Sequence, residues 1–480
     1  MTDTVAKRSE ASQAMLDASA KGRALMGGTD AMRAAGERFL PKFEAESVEA
    51  YRSRLRASWL FNGYRKTARD MTGRVFEKPI EAAEVPSIIE DMLENVDLQG
   101  RDLSIWARDV FEDGLSGCGI SWIMVDAPPR EGTVTRAQAA QGNLRPFLVH
   151  LKIEDVLGWR VETVDNAPKL TMLRLFEQVV ERDPADEFSD VAIDQVRVLD
   201  ITDRGPVRTR IYRNVGGSLG EKWQQTGGET YSDMTEITVI PFYANRTGFW
   251  KAEPLLDDLA DINIAHWQSQ SDQRNILHFA RVPILVRTGV DSETSPLAIG
   301  AATSMDISSP DADVKWVEHT GAAIDAGRQD LKDLEFQMET HGLQLLVARP
   351  GAQSATGEAL DAAKETSQLS AIADGLQDAL EQALTWMAAY AGDGEAEVSL
   401  TVNKDFGVTM MTAQEVSVML QAVQTGNLSR ETFIGEMVRR GMLRSDLDPE
   451  EEAERISADP PALTGDPMPL DDEEEDNGAA

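Results

Sequence analysis

Residues able to move protons, bind metal or attack a carbon are sparse here outside the carboxylates. The histidines are His150, His266, His278, His319 and His341, and the single cysteine is Cys118. His266 and His278 are twelve residues apart, which puts them about 120° apart around a shared helix, so they do not present one face to a metal. Cys118 lies in the apolar run GLSGCGISWIMV, where a thiol reads as a core side chain rather than an activated nucleophile, and no internal disulfide can form. GGSLGEKW at 216–223 lacks the spacing and the Ser/Thr of a phosphate-cradling loop and reads as a hairpin turn; GxSxG is absent. Adjacent acids such as Asp257 and Asp258 carry no acid–base assignment in a chain with 82 Asp and Glu. No catalytic, cofactor-binding or metal residue is assigned, so an enzyme would be a hydrolase with an unrecognised site.

Charge is the strongest compositional constraint. Across 480 residues the formal net charge is -35, so the average surface repels polyanions over about 10 Å at moderate salt. That disfavours a protein gripping nucleic acid over much of its surface, but suits one past which DNA must slide. Between Arg52 and Lys78 the sign reverses locally, with eight basic residues against Asp70 and Glu77. These cations pair with the chain's own or a neighbour's carboxylates, or they contact a nucleic-acid backbone or coat protein. The length accommodates two to four structural units. No stretch approaches 18 uncharged apolar residues and MTDTVAKRSEASQ has no apolar signal core, so neither a membrane span nor that secretion route is expected.

The elements that would carry any site follow from periodicity. Residues 1–45 are Ala-rich and charged, interrupted at Gly27-Gly28 and Pro41, and read as a frayed or partner-ordered arm. From Val48 to Thr72, Tyr51, Leu55, Trp59, Leu60, Tyr64 and Ala68 follow one helical stripe. Helices are expected from Pro86 to Val96 and from Asp102 to Leu115. Short β-branched runs at 120–126, 146–153, 171–180, 194–201, 207–213 and 236–244 predict an α+β body with antiparallel pairing, because no helical crossovers separate them.

The pattern then changes. Residues 254–279 predict a helix about 39 Å long, with Leu255, Leu259, Ile262 and Trp267 on one stripe. Its middle, QSQSDQRN from Gln268 to Asn275, has no apolar residue through two turns, which without buried polar partners calls for a border with water on one side and polar contacts with a neighbour on the other. A small strand-containing unit at 281–321 precedes a second helix from Asp325 to Leu346, whose apolar set is Leu331, Leu334, Phe336, Met338, Leu345 and Leu346. Helix, β insertion and returning helix make a projecting stalk with a tip. After the ARPGAQSA loop, Leu369, Ile372, Leu376, Leu380, Ala383 and Met387 predict a long helix packed along one side. EVSLTVNKDF reads as a strand, and two helices follow, near 413–425 and 430–440. The second carries Arg430, Arg439 and Arg440, so a nucleic-acid-binding regulator is the alternative reading, although two of these suit a helix C-terminus. From Asp446 onward fourteen acids face one basic residue, Arg455, predicting a disordered tail.

This order resembles the portal proteins of tailed double-stranded DNA bacteriophages. The resemblance is carried by YANRTGFWKAEPLLDDLADINIAHWQSQSDQRNILHFARVPILVRTG, SATGEALDAAKETSQLSAIADGLQDALEQAL and NLSRETFIGEM, and extends from about Tyr51 to Asp459. It implies an N-terminal arm (1–45), an α/β wing (46–253), a first stem helix (254–280), a small β-containing clip (281–321) and a second stem helix (322–347). A tunnel loop (348–355), a long wing helix (356–391), a wing strand with a helix pair (392–445), and a short crown position or disordered acidic tail (446–480) would follow. The implied role is structural: a twelve-subunit ring at one capsid vertex of the virion, assembled in the host cytoplasm. Viral DNA would be packaged and ejected through it, and it would dock the terminase large subunit, the major capsid protein and then head–tail adaptor or tail proteins. Asp257, Asp258, Asp261, Gln268, Asp272, Arg349, Gln353 and Ser354 would be candidate channel-lining residues, the acids facing either the lumen or a basic residue of the next subunit. Arg52, Arg54, Arg56, Arg65, Lys66 and Arg69 would be candidate DNA or capsid contacts.

Overall fold

In a computed structural model the first expectation to change is the frayed arm. Residues 10–35 form helix α1 (Glu10–Ala35), started by Ser9, whose Oγ accepts from the Ser12 amide. Gly28, at φ 77°, kinks the helix without ending it, and Met15, Leu25 and Met32 bury one side of it. The structure describes residues 4–128, 145–164, 166–183, 186–202, 205–216, 222–232, 234–280, 284–288, 313–317, 321–343, 355–404, 406, 413–439, 442–443 and 455. They divide into two units, 1–404 and 405–480.

The single helix expected from 48 to 72 is two, α2 (Val48–Ala57) and α3 (Gly63–Val75). The break has a tertiary cause. The Ser58 carbonyl, which a continuing helix would commit to its own ladder, accepts instead from Arg33 Nε and Nη2 at 3.1 and 2.8 Å. Asn62 then caps α3 by accepting from the Arg65 amide. The helix expected through Val96 shrinks to one turn, α4 (Ser87–Glu90), and a 3-10 turn at Leu93–Asn95. Helix α5 (Leu103–Ser116) lies where it is expected, and Asp102 caps it by accepting from the Ile105 amide.

Two antiparallel sheets form the β body. In the first, β2 (Ile120–Asp126) lies between β3 (Phe147–Leu151) and β9 (Val239–Tyr243), with Trp122 opposite Leu151 and Pro241. The second is a meander of β4 (Val156–Val164), β5 (Ala167–Arg182), β6 (Asp190–Ile201), β7 (Val207–Asn214) and β8 (Trp223–Tyr231). Leu173, Leu175, Val156, Ile153, Trp122 and Trp250 fill the core between them. Strands β4 and β8 were not foreseen; β8, WQQTGGETY, is exposed after Trp223 and has no apolar alternation to reveal it. Three small pairs complete the sheets: β1 (Glu81–Glu84) with β14 (Ser399–Thr401), β10 (Arg246–Gly248) with β11 (Lys251–Ala252), and β12 (Ile284–Thr288) with β13 (Asp313–Val317).

Helix α6 (Asp257–Ala280), the β12–β13 ribbon and helix α7 (Ala322–Leu343) follow one another as the periodicity predicts. On α7 Met338 is buried, but Phe336 is 67% exposed rather than part of the apolar seam. Helix α8 (Ala355–Ala391) lies on β2 and β9, with Leu369, Ile372, Leu376, Leu380, Ala383 and Met387 all buried, which is the expected stripe. In the second unit, Ser429 caps α10 (Arg430–Arg439) after α9 (Ala413–Gln424), and Ile434 and Met437 of α10 are buried.

Gly119 joins α5 to β2 at φ +83°, where a Cβ would sit 2.0 Å from the Glu253 carbonyl oxygen. Strain and clash act together there, so Gly119→Ala is expected to cost about 3 kcal/mol. Gly394, with open space around it, should tolerate alanine within about 0.5 kcal/mol. Chemical denaturation midpoints of the two variants check this difference.

Candidate functional site: the paired helices and their anchors

Helices α6 and α7 run antiparallel, as their cross-contacts show. His266 Nε2 lies 3.4 Å from Glu335 Oε1, Ser269 Oγ donates to Asp330 Oδ2 at 2.5 Å, and Gln273 Nε2 donates to the Ile324 carbonyl at 2.8 Å. Gly327 permits the close approach, since a Cβ there would meet Gln273 Oε1 at 2.1 Å. His266 is buried against the Phe61 ring; desolvation lowers its pKa, more than Glu335 raises it.

Most of the polar middle of α6 finds partners within the chain, Gln273 Oε1 being buried without one, and this weakens one reason for requiring a neighbour. Gln268 Nε2 donates to the Phe39 carbonyl at 3.0 Å, and Ser58 Oγ donates to Ser271 Oγ at 2.9 Å. Gln270, Ser271 and Gln273 are buried under α2, α7 and the 39–58 region. An apolar stripe is unnecessary where buried and half-buried amides and hydroxyls meet polar partners, as Gln268, Ser271 and the Gln273 amide nitrogen do.

Arg54 is the centre of that cover. Its Nε and Nη2 hold both oxygens of Glu46 at 2.9 Å, Nη2 also donates to the Pro41 carbonyl, and Nη1 reaches Ser271 Oγ and Asp272 Oδ1 at 3.4 Å. The guanidinium stacks 4.2 Å from the Phe43 ring centroid, and only 3% of the side chain is exposed. The Glu46 hydrogen bonds raise its pKa despite burial. Burial raises Asp272, against the pull of Arg54. Arg54, expected at a DNA or capsid surface, is therefore a bolt between α2 and α6.

The other candidates divide by environment. Lys21 of α1 bridges Asp257 and Asp261 at 3.2 and 2.6 Å, so these two stalk acids have a cation of their own chain; Asp258 is exposed. Burial lowers the Lys21 pKa, but the bonds to Asp261 and Asp257 outweigh it and leave it raised. Lys66 pairs with Asp70, Arg69 stands 3.7 Å from Glu112, and Arg65 Nη1 reaches the Met26 carbonyl. Arg52 and Arg56 are exposed on α2. Arg349, Gln353 and Ser354, like the ARPGAQSA loop up to residue 354, lie outside the described residues.

One cluster escaped sequence reading. Arg23 Nη1 meets Asp113 Oδ1 at 2.5 Å, while its Nε and Nη2 take both oxygens of Glu154. His150 Nε2 contacts Ser121 Oγ at 2.7 Å and faces Asp113 Oδ2 at 3.5 Å as a charge neighbour. Burial pushes the Asp113 carboxyl up, but His150 and Arg23 outweigh it and hold it down at about 2. The partners lie 90 and 131 residues from Arg23, and nothing local announces them. Ser121 is fully buried, so this Ser–His–Asp neighbourhood offers no approach to a substrate. Burial also lifts the Cys118 thiol to about 12, which leaves it protonated and inert. Among the described residues no group of three or more His, Cys, Asp or Glu could hold a metal ion, and no helix is long and apolar enough to cross a membrane.

Arg54→Ala should strand Glu46 without its buried partner and destabilise the chain by about 3 kcal/mol, whereas Arg52→Ala should change stability by under about 0.5 kcal/mol; denaturant titration separates them. Asp113 is depressed below its unfolded value of 3.8, so its contribution is present above about pH 4 and lost as pH falls toward 2. The stability gap between wild type and Asp113→Asn is expected to shrink by about 2 kcal/mol over that window, read from denaturation curves at stepped pH.

Residues 254–391 match the family model described as Domain of unknown function (DUF4055). No curated protein matches the chain. Among solved structures, the fold is similar to a chain in the neck of an empty GTA particle computed with C6 symmetry, at 12% identity and TM-score 0.39, covering 78% of this chain and 88% of that one. The neck of a native GTA particle computed with C12 symmetry gives 12% identity and TM-score 0.38 over the same shares. The virion of a native gene transfer agent (GTA) particle gives 13% identity and TM-score 0.39, again over 78% and 88%.

Proposed function

We propose that the chain is a portal-type structural subunit that closes with copies of itself into a ring around a channel for double-stranded DNA at one vertex of a phage-like capsid. The observation that carries this reading is the excursion α6, β12–β13, α7: two antiparallel helices with a two-stranded ribbon between them, entered from a β body and followed by the 37-residue helix α8. A helix pair with exposed Phe336, Asp258 and Arg328 along it has side chains left for a neighbour after its own seam is filled. The acidic excess suits the wall of such a channel, because a polyanion held off the surface meets fewer adhesive contacts as it moves. In this reading residues 348–355 reach the lumen, Arg52 and Arg56 face DNA or coat protein, and a terminase motor and head–tail proteins dock on the ring's two ends. The conduit itself turns over no ATP.

Native mass spectrometry with face-on particle imaging tests the reading. A closed ring with a central hole, and with 348–355 on its inner wall, is expected. Monomers alone under several assembly conditions, or ATP hydrolysis by the purified chain, would overturn it.

A further inference from the structure

We infer that subunits join head to tail by inserting the acidic, phenylalanine-bearing tip of the β5–β6 ribbon into an arginine-lined pocket on the same sheet of the next copy. The inference rests on the ring reading and names the contact that builds the ring.

The tip projects beyond its sheet. Pairing of β4 with β5 ends at Val156 opposite Leu175, and pairing of β7 with β6 ends at Arg213 opposite Gln195. Residues 178–182 and 190–194 therefore continue as a two-stranded ribbon with no third strand among the described residues. An isolated ribbon is marginal in water. Yet this one exposes Val180 at 64%, Val191 at 42% and, beyond the last pair, Phe188 at 90%. Around Phe188 stand Asp183, Asp186, Glu187 and Asp190, with the Phe188 amide donating to Asp186 Oδ1 so that the turn is shaped by its own acid.

The pocket has the opposite character. A cavity of about 400 Å³ opens over β4 to β7, lined by Trp159, Arg160, Met172, Arg174, Val198 and Arg210 among others. Arg174 Nη1 is spent on the carbonyls of Thr4, Val5 and Lys7, which neutralise nothing. Burial, and then the charge of Arg160, lower the Arg174 pKa. Arg210 shares Asp200 with Arg208, and its Nε has no hydrogen-bond partner among the described residues. Arg160, Arg174 and Arg210 thus line one cavity with Trp159, Met172 and Val198, and its lining among the described residues includes no carboxylate, Arg210 sharing Asp200 with Arg208 outside it; this suits an anion carried on an aromatic or aliphatic stem.

The two features cannot satisfy each other within one chain. Arg174 and Arg182 lie on the same strand, eight residues or about 27 Å apart, and a paired ribbon does not fold back on itself. A knob and a socket on one chain that cannot meet form a heterologous contact, and such contacts close into rings when the rotation permits.

The test mixes two separately tagged full-length chains, one carrying Phe188→Cys and the other Arg160→Cys, and treats them with a short bis-maleimide; native Cys118 is buried and stays silent. Cross-linked pairs containing both tags are expected only in the mixture. Glu187→Arg should raise the concentration for half-assembly at least tenfold, and adding Arg160→Glu should restore it, with circular dichroism confirming that each variant is folded. Assembly without mixed cross-links, or with no response to the charge reversals, overturns this contact while leaving the ring reading standing. A wild-type chain that never assembles overturns both.

Discussion

A guanidinium taken out of water holds its carboxylates because separation would leave a charge with neither partner nor solvent. Arg54 is that constraint here. It binds Glu46 with two nitrogens, closes over Phe43 and reaches Ser271 and Asp272 on α6, so the segment around Phe43 and Glu46, α2 and α6 are joined by one side chain. The α6–α7 pair is thereby held past the midpoint of α6, while Lys21 ties its start through Asp257 and Asp261. Arg23 does the equivalent for α1, tying it to α5 through Asp113 and to the β3–β4 turn through Glu154.

These bolts also change how the chain's charge is understood. With 82 acids against 47 lysines and arginines, basic side chains are scarce, and several are consumed inside the fold. Lys21 is spent on Asp257 and Asp261, and Arg197 on Asp126 and Glu177. Each of these cations holds two acids, so the internal pairs cannot be the source of the acid excess, which is set by composition. The local basic run at 52–78 divides accordingly: Arg54 inward, Lys66 and Arg69 beside acids, Arg52 and Arg56 outward.

What could be read from sequence was what local chemistry determines. The α8 stripe, the start of α5 near Asp102 and the bounds of β2 follow from local periodicity and residue type, and they appear where those rules put them. The division of 48–72 into two helices was hidden because Arg33, more than twenty residues upstream, captures the Ser58 carbonyl. Likewise, QSQSDQRN looked like a surface needing another subunit because Ser58, Arg54 and Phe39, which cover it, are about two hundred residues away. Site residues suffered most: a sequence shows that Arg54 is basic, but its direction is set by Glu46 and Asp272 together.

Strand β8 forms one margin of the five-stranded sheet, and its composition is polar from Gln224 to Tyr231. Its ladder with β7 slips between Thr209 and Ile211, and Gly227 takes φ 76°. An irregular hydrophilic border is a poor template for an incoming strand. Main-chain association through this margin is thereby disfavoured, and contacts there fall to side chains.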